Sequence, residues 1–224
     1  MICIVPARKN SKALKNKNVK KLNGIPLIKH TISVAKKSRH IKKIYLSTDD
    51  HRIINMFKDD KFVEIPFVRP KNLSGDKINS VDVYLHMLKF IEKKVKIKEF
   101  CVLLPTCPIR NVREIDEAIS IYKKNKKIKF LISVSETKPL EFQFKINKNN
   151  LMKKIRGNKF SINNRQKLNK IYSPNGSIYI FDKKEFKKCK TFMTTKTYCY
   201  EMNRLYSQDI DTITDFNIVK KLIN

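Results

Sequence analysis

The sequence predicts an α/β fold, a mostly parallel sheet flanked by helices, and three observations carry that expectation. Short apolar runs of strand length alternate with amphipathic segments of helix length almost from end to end. The segments between strands are long enough for right-handed crossover helices. No internal repeat or linker divides the 224 residues, 41% of them hydrophobic, so one domain over 1–224 with a sizeable core is expected.

Taken in order, Ile2-Cys3-Ile4-Val5 reads as a buried strand and Pro26 to Lys37 as a helix. Pro26 suits the first turn, and Leu27, Ile28, Ile32 and Ala35 fall near one face. Lys43 to Thr48 is a second strand, Asp50 to Lys58 a second helix and Phe62 to Phe67 a third strand. Ser80 to Lys93 presents Val81, Tyr84, Leu85 and Leu88 on one helical face, and Phe100 to Leu104 is a strand ended by Pro105. Asn111-Val112-Arg113-Glu114 has the pattern of a capping box, opening a helix that reaches about Lys124. Phe130 to Val134, Ser177 to Phe181 and Thr197 to Tyr200 are further strands, and a final helix runs from about Thr214 to Ile223. The polar, lysine-rich stretch at about 138–171 breaks the alternation. It reads either as a surface insertion or as an arm that packs on a partner subunit.

Composition excludes several classes. No apolar run approaches the roughly 20 residues of a membrane span. The run Met1–Val5 is too short for a signal-peptide core, so a cytoplasmic location is expected. Five scattered cysteines, Cys3, Cys101, Cys107, Cys189 and Cys199, fit neither a disulfide framework nor a zinc knuckle and read as core or near-core thiols. The net charge of +30 raises a nucleic-acid-binding reading. Against it, 41 lysines outnumber 9 arginines and are spread along the whole chain, which reads as a solvated coat with no dedicated nucleic-acid partner.

Three constellations carry chemistry. Pro6 to Asn18 follows the first strand, where a triphosphate would sit on such a sheet, and holds five cations within ten residues. It contains neither a P-loop nor a GxGxxG pattern. In Ser207-Gln208-Asp209-Ile210-Asp211-Thr212 an extended backbone directs both aspartates to one side and Ile210 to the core. The aspartate pair suits Mg²⁺ shared with substrate phosphates, and equally suits capping of the last helix. In Ser47-Thr48-Asp49-Asp50 the small polar and acidic residues either meet a ligand or, for Asp50 above all, cap the next helix.

With these segments in view, the chain resembles the CMP-sialic acid synthetases, the acylneuraminate cytidylyltransferases, nearly end to end. The matching stretches are Ile4-Val5-Pro6-Ala7-Arg8 with Asn10-Ser11-Lys12, Lys17-Asn18, Ser47-Thr48-Asp49-Asp50, Arg69-Pro70, Leu103 to Arg110, Arg165-Gln166, Pro174 to Tyr179 and Asp209 to Thr212. The resemblance implies a Rossmann-like nucleotidyltransferase with a protruding dimerisation arm near 138–171, hence a homodimer. It implies that Ala7, Arg8, Asn10, Ser11, Lys12 and Lys17 form the nucleotide loop, with Arg8 and Lys17 on the CTP phosphates. Asn18, Arg69 and Ser80 would surround the cytidine. Arg165, Asn175 and Tyr179 would meet the sugar acid, and Asp209 and Asp211 would hold Mg²⁺.

Lys9 and Ala13 stand where the family loop usually has glycines, and Leu104 where it often has a glutamine that contacts the sugar. The last difference leaves room for legionaminic- or pseudaminic-type sugars beside Neu5Ac. The expected reaction joins CTP to a nonulosonic acid and releases pyrophosphate, with Arg8, Lys17 and Asp211 as the catalytic residues. The alternatives are a highly basic nucleic-acid-binding protein and a nucleotidyltransferase for another sugar.

Overall fold

In the computed structural model, described for residues 1–155 and 168–223, one seven-stranded sheet organises the chain. In chain order the strands and helices are β1 (Ile2–Ala7), β2 (Lys21–Leu22), β3 (Ile25–Pro26), α1 (Leu27–Lys37), β4 (Lys43–Thr48), α2 (His51–Phe57) and β5 (Val63–Glu64). They continue with α3 (Ser80–Ile91), β6 (Glu99–Val102), α4 (Val112–Lys124), β7 (Phe130–Thr137), β8 (Phe144–Ile146) and β9 (Met152–Lys154). The last are β10 (Ile171–Asp182), α5 (Lys183–Cys189), β11 (Thr197–Glu201) and α6 (Ile213–Leu222). Spatial order is β11-β7-β10-β6-β1-β4-β5, and only β10 runs antiparallel to its neighbours.

The strands are buried on both faces, and their alternation sorts the core into two layers. Cys3, Val5, Ala7, Ile44, Leu46, Cys101 and Ile180 face α1, α2 and α4, which contribute Ile28, Ile32, Ile53 and Ile119. Ile4, Tyr45, Phe100, Val102 and Phe181 face α3 and α5 through Met87, Leu88 and Phe186. Phe181 stacks on Phe186 with centroids 4.9 Å apart, and Phe100 meets both edge-on. Each fully buried aliphatic or aromatic side chain here contributes about 1.5–3 kcal/mol.

The structure departs from the sequence expectations in several places. The strand expected over Phe62–Phe67 shrinks to β5, because only Val63 and Glu64 pair with β4. The Asn111 capping box is half formed: Asn111 accepts the Glu114 N–H, while the Glu114 carboxylate accepts the Tyr200 hydroxyl at 2.7 Å. Cys199 and Cys189 are exposed, so only Cys3, Cys101 and Cys107 are core thiols. On edge strand β11, Tyr200 and Cys199 point to opposite faces, and it is Tyr200 that turns inward. The described first part of the 138–171 segment contains the β8–β9 hairpin, which exposes Phe144, Ile146, Leu151 and Met152, with Phe142 exposed just before it. The β2–β3 hairpin and α5 were not foreseen. Among the described residues no helix is long and apolar enough to cross a membrane.

Candidate active site

The sheet's strand order reverses between β1 and β6. From β1 the chain winds outward through β4 to β5, then returns across the sheet through α3 to β6 on the other side. Neighbouring loops diverge at such a point, and the carboxyl ends of the parallel strands open a crevice. A cavity of about 310 Å³ lies there, walled by Pro6 near the end of β1 and Arg8 just after it, Leu104 to Thr106 after β6, Arg69 beyond β4, and Tyr179 of β10. A larger hollow of about 580 Å³ sits at the opposite edge, among Met1, Lys98, Glu99 and Asp182. It lies at the amino ends of β1 and β6, the end of the sheet that this architecture does not use for ligands.

The basic segment after β1 is tied down at several points along its length. Asn18 Nδ2 donates to the Arg8 carbonyl at 2.9 Å, and the Lys9 N–H donates to Asp49 at 2.6 Å. Asp49 therefore braces this loop, while Asp50 caps α2 by accepting the Arg52 N–H. Burial pushes the Asp50 carboxyl up, but hydrogen bonds from the Arg52 side chain and backbone outweigh it, and the net shift is downward. Arg52 reaches on to Asn16 at 2.9 Å. Asn16 supplies the loop's left-handed residue at φ 57°, a conformation Asn tolerates, and Ala13 keeps a backbone that does not require glycine. A short 3₁₀ turn over Lys17–Val19 then aims Lys17 across the molecule.

Lys17 is where the two ends of the chain meet. Its Nζ donates to Asp211 Oδ1 at 3.1 Å and to the Ile210 carbonyl at 2.9 Å. Ile210 is fully buried, as the extended-segment argument requires, and its N–H donates to the Thr106 carbonyl at 2.9 Å. Thr212 and Asp215 form the capping box of α6, so capping does not occupy Asp209 or Asp211. Asp209 points inward: its carboxylate lies 3.9 Å from Cys107 Sγ and would lie 3.4 Å from a Cβ at Gly176. Burial, reinforced by the Asp211 charge, raises its pKa against opposing contributions from Thr106 and Lys17. The Cys107 thiol is pushed up to about 12 by burial and by Asp209.

This arrangement matches a known family. A model of the cytidylyltransferases matches residues 2–222. The chain belongs to the cytidylyltransferase family. Within that family it is 34% identical over 221 residues to an N-acylneuraminate cytidylyltransferase of Streptococcus agalactiae, covering 96% of this chain. The chain spans about half of that relative, 51% of its length. It is 31% identical to the CMP-N,N'-diacetyllegionaminic acid synthase of Legionella pneumophila, over all of this chain and 96% of that one. A solved CMP:2-keto-3-deoxy-manno-octonic acid synthetase complexed with CTP superposes with a TM-score of 0.72. It covers 99% of this chain and 97% of its own at 14% identity, a likeness of fold.

Of the residues the sequence singles out, Arg8, Ser11, Lys17, Asn18, Arg69, Ser80 and Tyr179 line the switch-point cavity. Lys12 stands beside it, paired with Asp76 of the wall. Asp209 and Asp211 border it through Thr106 and Lys17 rather than lining it. Ala7 is fully buried in the core and can offer a ligand only its backbone, and Asn10 lies exposed on the loop. Asn175 does not line the cavity. Its amide accepts from Ser133 Oγ at 2.6 Å and the Ser177 N–H, and donates to Ser135 Oγ at 2.9 Å. Arg165 lies outside the described residues. Buried Arg69 donates to the Ser47 hydroxyl at 2.9 Å and to its carbonyl, and burial lowers its pKa to about 10.

Two contributors escaped the sequence reading. Asp76 pairs with Arg8 at 2.9 Å and with Lys12 at 3.2 Å. Arg110, fully buried, donates to the carbonyls of Leu104 and Ser177 and to the Thr31 hydroxyl, joining the loop after β6 to β10. Among the described residues its Nε has no hydrogen-bond partner. The Pro-Thr-x-Pro run marked that loop in the sequence. Nothing local marked Asp76, which lies some 65 residues from the cations it meets.

Proposed function

We propose that this chain transfers the cytidylyl group of CTP to a sialic-acid-like nonulosonic acid, giving a CMP-sugar and pyrophosphate. One observation carries the reading. Lys17 of the basic turn and Asp211, 194 residues away in sequence, meet beside a cavity at the switch point of a cytidylyltransferase fold. The names of the relatives, sialic-acid and legionaminic-acid enzymes among them, support the sugar class.

In this reading the hydroxyl at the sugar's anomeric carbon attacks the α-phosphorus of CTP. The new oxygen–phosphorus bond forms as the bond to the β-phosphate oxygen breaks, the hydroxyl loses its proton and pyrophosphate departs. Arg8 and Lys17 hold the phosphates and offset charge growing toward the leaving group, and positioning supplies much of the rate. Asp209 and Asp211 are two hard oxygen donors whose mutual repulsion a cation would relieve, a donor set that fits Mg²⁺ sharing its shell with substrate phosphates. Among the described residues no group of three His, Cys, Asp or Glu side chains is placed to hold a metal ion, so the rest of this ion's shell would come from substrate and water. When bound, the ion supplies Lewis-acid neutralisation at the phosphate.

Asn18, Arg69 and Ser80 make the polar end proposed for cytidine, with Arg69 locked by Ser47 so that its remaining donor faces are fixed. Tyr179 of the cavity wall, with Arg165, is assigned to the sugar acid, and Asn175, its amide engaged by Ser133, Ser135 and the Ser177 N–H, to holding β10 in place beside it. The apolar hairpin β8–β9 supports a homodimer in which a second copy covers it, and a cytoplasmic site of action accords with CTP supply. Thermal shift with CTP, UTP, ATP and GTP in the presence of Mg²⁺ tests the base preference. CTP should raise the melting temperature most, and an equal response to all four would remove the cytidylyl assignment.

A further inference from the structure

Two of the nucleotide loop's cations share one carboxylate. Asp76 gives one oxygen to each of two of them, Oδ1 to Arg8 Nη1 at 2.9 Å and Oδ2 to Lys12 Nζ at 3.2 Å. Asp76 and Arg8 both face the switch-point cavity, and Leu73, Gly75 and Ile78 of the same segment form its wall. A carboxylate that shares its oxygens between two cations presents the pattern of two non-bridging oxygens of one phosphate. We infer that Asp76 is a phosphate surrogate: it holds Arg8 and Lys12 as a phosphate would and sets triphosphate affinity, because incoming phosphates must displace it.

Three features support this role over a purely structural one. Both partners of the Arg8 pair are about one-third exposed (34% and 32%), and Lys12 is 85% exposed. Ion pairs this solvated are weak and open readily, which suits a contact that exchanges partners. Asp76 sits on a connecting segment, between the 3₁₀ turn Lys71–Leu73 and the Asn79 cap of α3, rather than inside an element. Finally, a triphosphate in the cavity would bring several negative charges well within a screening length of the Asp76 carboxylate. The carboxylate therefore opposes the ligand while the loop waits and has to let go of both cations when it arrives. The inference rests on the assignment of the basic loop to phosphates, and not on the identity of the base or of the sugar.

The test is calorimetric binding of inorganic triphosphate, CTP, UTP and cytidine to the wild type, Asp76→Asn and Asp76→Glu, at low and high salt. Asp76→Asn should bind triphosphate and CTP about three- to ten-fold more tightly, the gain expected from freeing two exposed pairs. Cytidine binding should be unchanged, the gain should shrink as salt rises, and Asp76→Glu, which keeps the charge, should resemble the wild type. Equal or weaker triphosphate binding by Asp76→Asn would overturn the inference. So would a change of the same size for cytidine, which would mark a general effect on the cavity; melting curves of each variant ensure that folded protein is compared. If Asp76→Asn tightens triphosphate while CTP is not preferred to UTP, the Asp76 role stands and the cytidylyl reading falls.

Discussion

Asp209 and Asp211 sit two residues apart and face different surroundings, and their variants should behave differently. The Asp211 side chain is 72% exposed, so Asp211→Ala should leave the melting temperature within a few degrees of wild type. The same variant should lower CMP-sugar formation by about 100-fold or more, because it removes a proposed ion ligand and the partner of Lys17. Asp209 is held inward with a raised pKa, so its charge at neutral pH costs folding free energy. Asp209→Asn should therefore raise the melting temperature of the metal-free protein while abolishing turnover, and a lower melting temperature would contradict the burial argument. The sign for pH follows. A carboxyl whose folded pKa is raised is increasingly tolerated as pH falls, so acid removes activity through Asp209 before it removes stability. Asp50, shifted downward by Arg52, contributes stability above its unfolded pKa and loses it only as pH falls through the lower folded value. Arg110→Lys is expected to cost about 3 kcal/mol in denaturant unfolding, since a lysine cannot bridge the three acceptors the guanidinium spans.

Among the elements, strands and helices buried against the sheet were legible in the sequence, because their apolar periodicity records a face that must be covered. β4 runs over Lys43–Thr48 as its pattern implies, and α4 begins after Asn111 and ends at Lys124. The misses have physical reasons. Asn23-Gly24 is a type I′ turn signal, both residues having positive φ, yet the strands it joins are two residues each and too short to show alternation. The long β10 was seen only from Ser177 onward, because a register shift between Pro174 and Tyr179 interrupts its pairing with β7. Gly176, at φ 75°, turns the backbone there and leaves room for Asp209. Gly176→Ala should cost about 1 kcal/mol of stability and press on that carboxylate, which thermal melting and turnover together would reveal. The proposed homodimer places the β8–β9 hairpin at its interface. Phe144 and Ile146 are spaced to share one strand face, both exposed, and Phe144→Glu with Ile146→Lys should shift the protein toward monomer in sedimentation velocity. An unchanged dimer would reassign the interface.

For the whole molecule, the fold class and the convergence of its two ends were readable from sequence. The charge of +30 pointed elsewhere, to polyanions in general. What narrows it is placement: a few cations are gathered by carboxylates around one cavity, while most lysines are spread over the surface as a solvated coat. The reach of Asp76 into the basic loop was not readable, because long-range ion pairs leave no local pattern. If this cavity joins cytidylate to a nine-carbon sugar acid, pyrophosphate must be released as it does so. With CTP, Mg²⁺ and a panel of Neu5Ac, legionaminic and pseudaminic acids, release should need one of these acids, be greatest with CTP among the nucleotides, and be lost in Asp211→Ala. Release that is independent of the acid, or undiminished in Asp211→Ala, would contradict it.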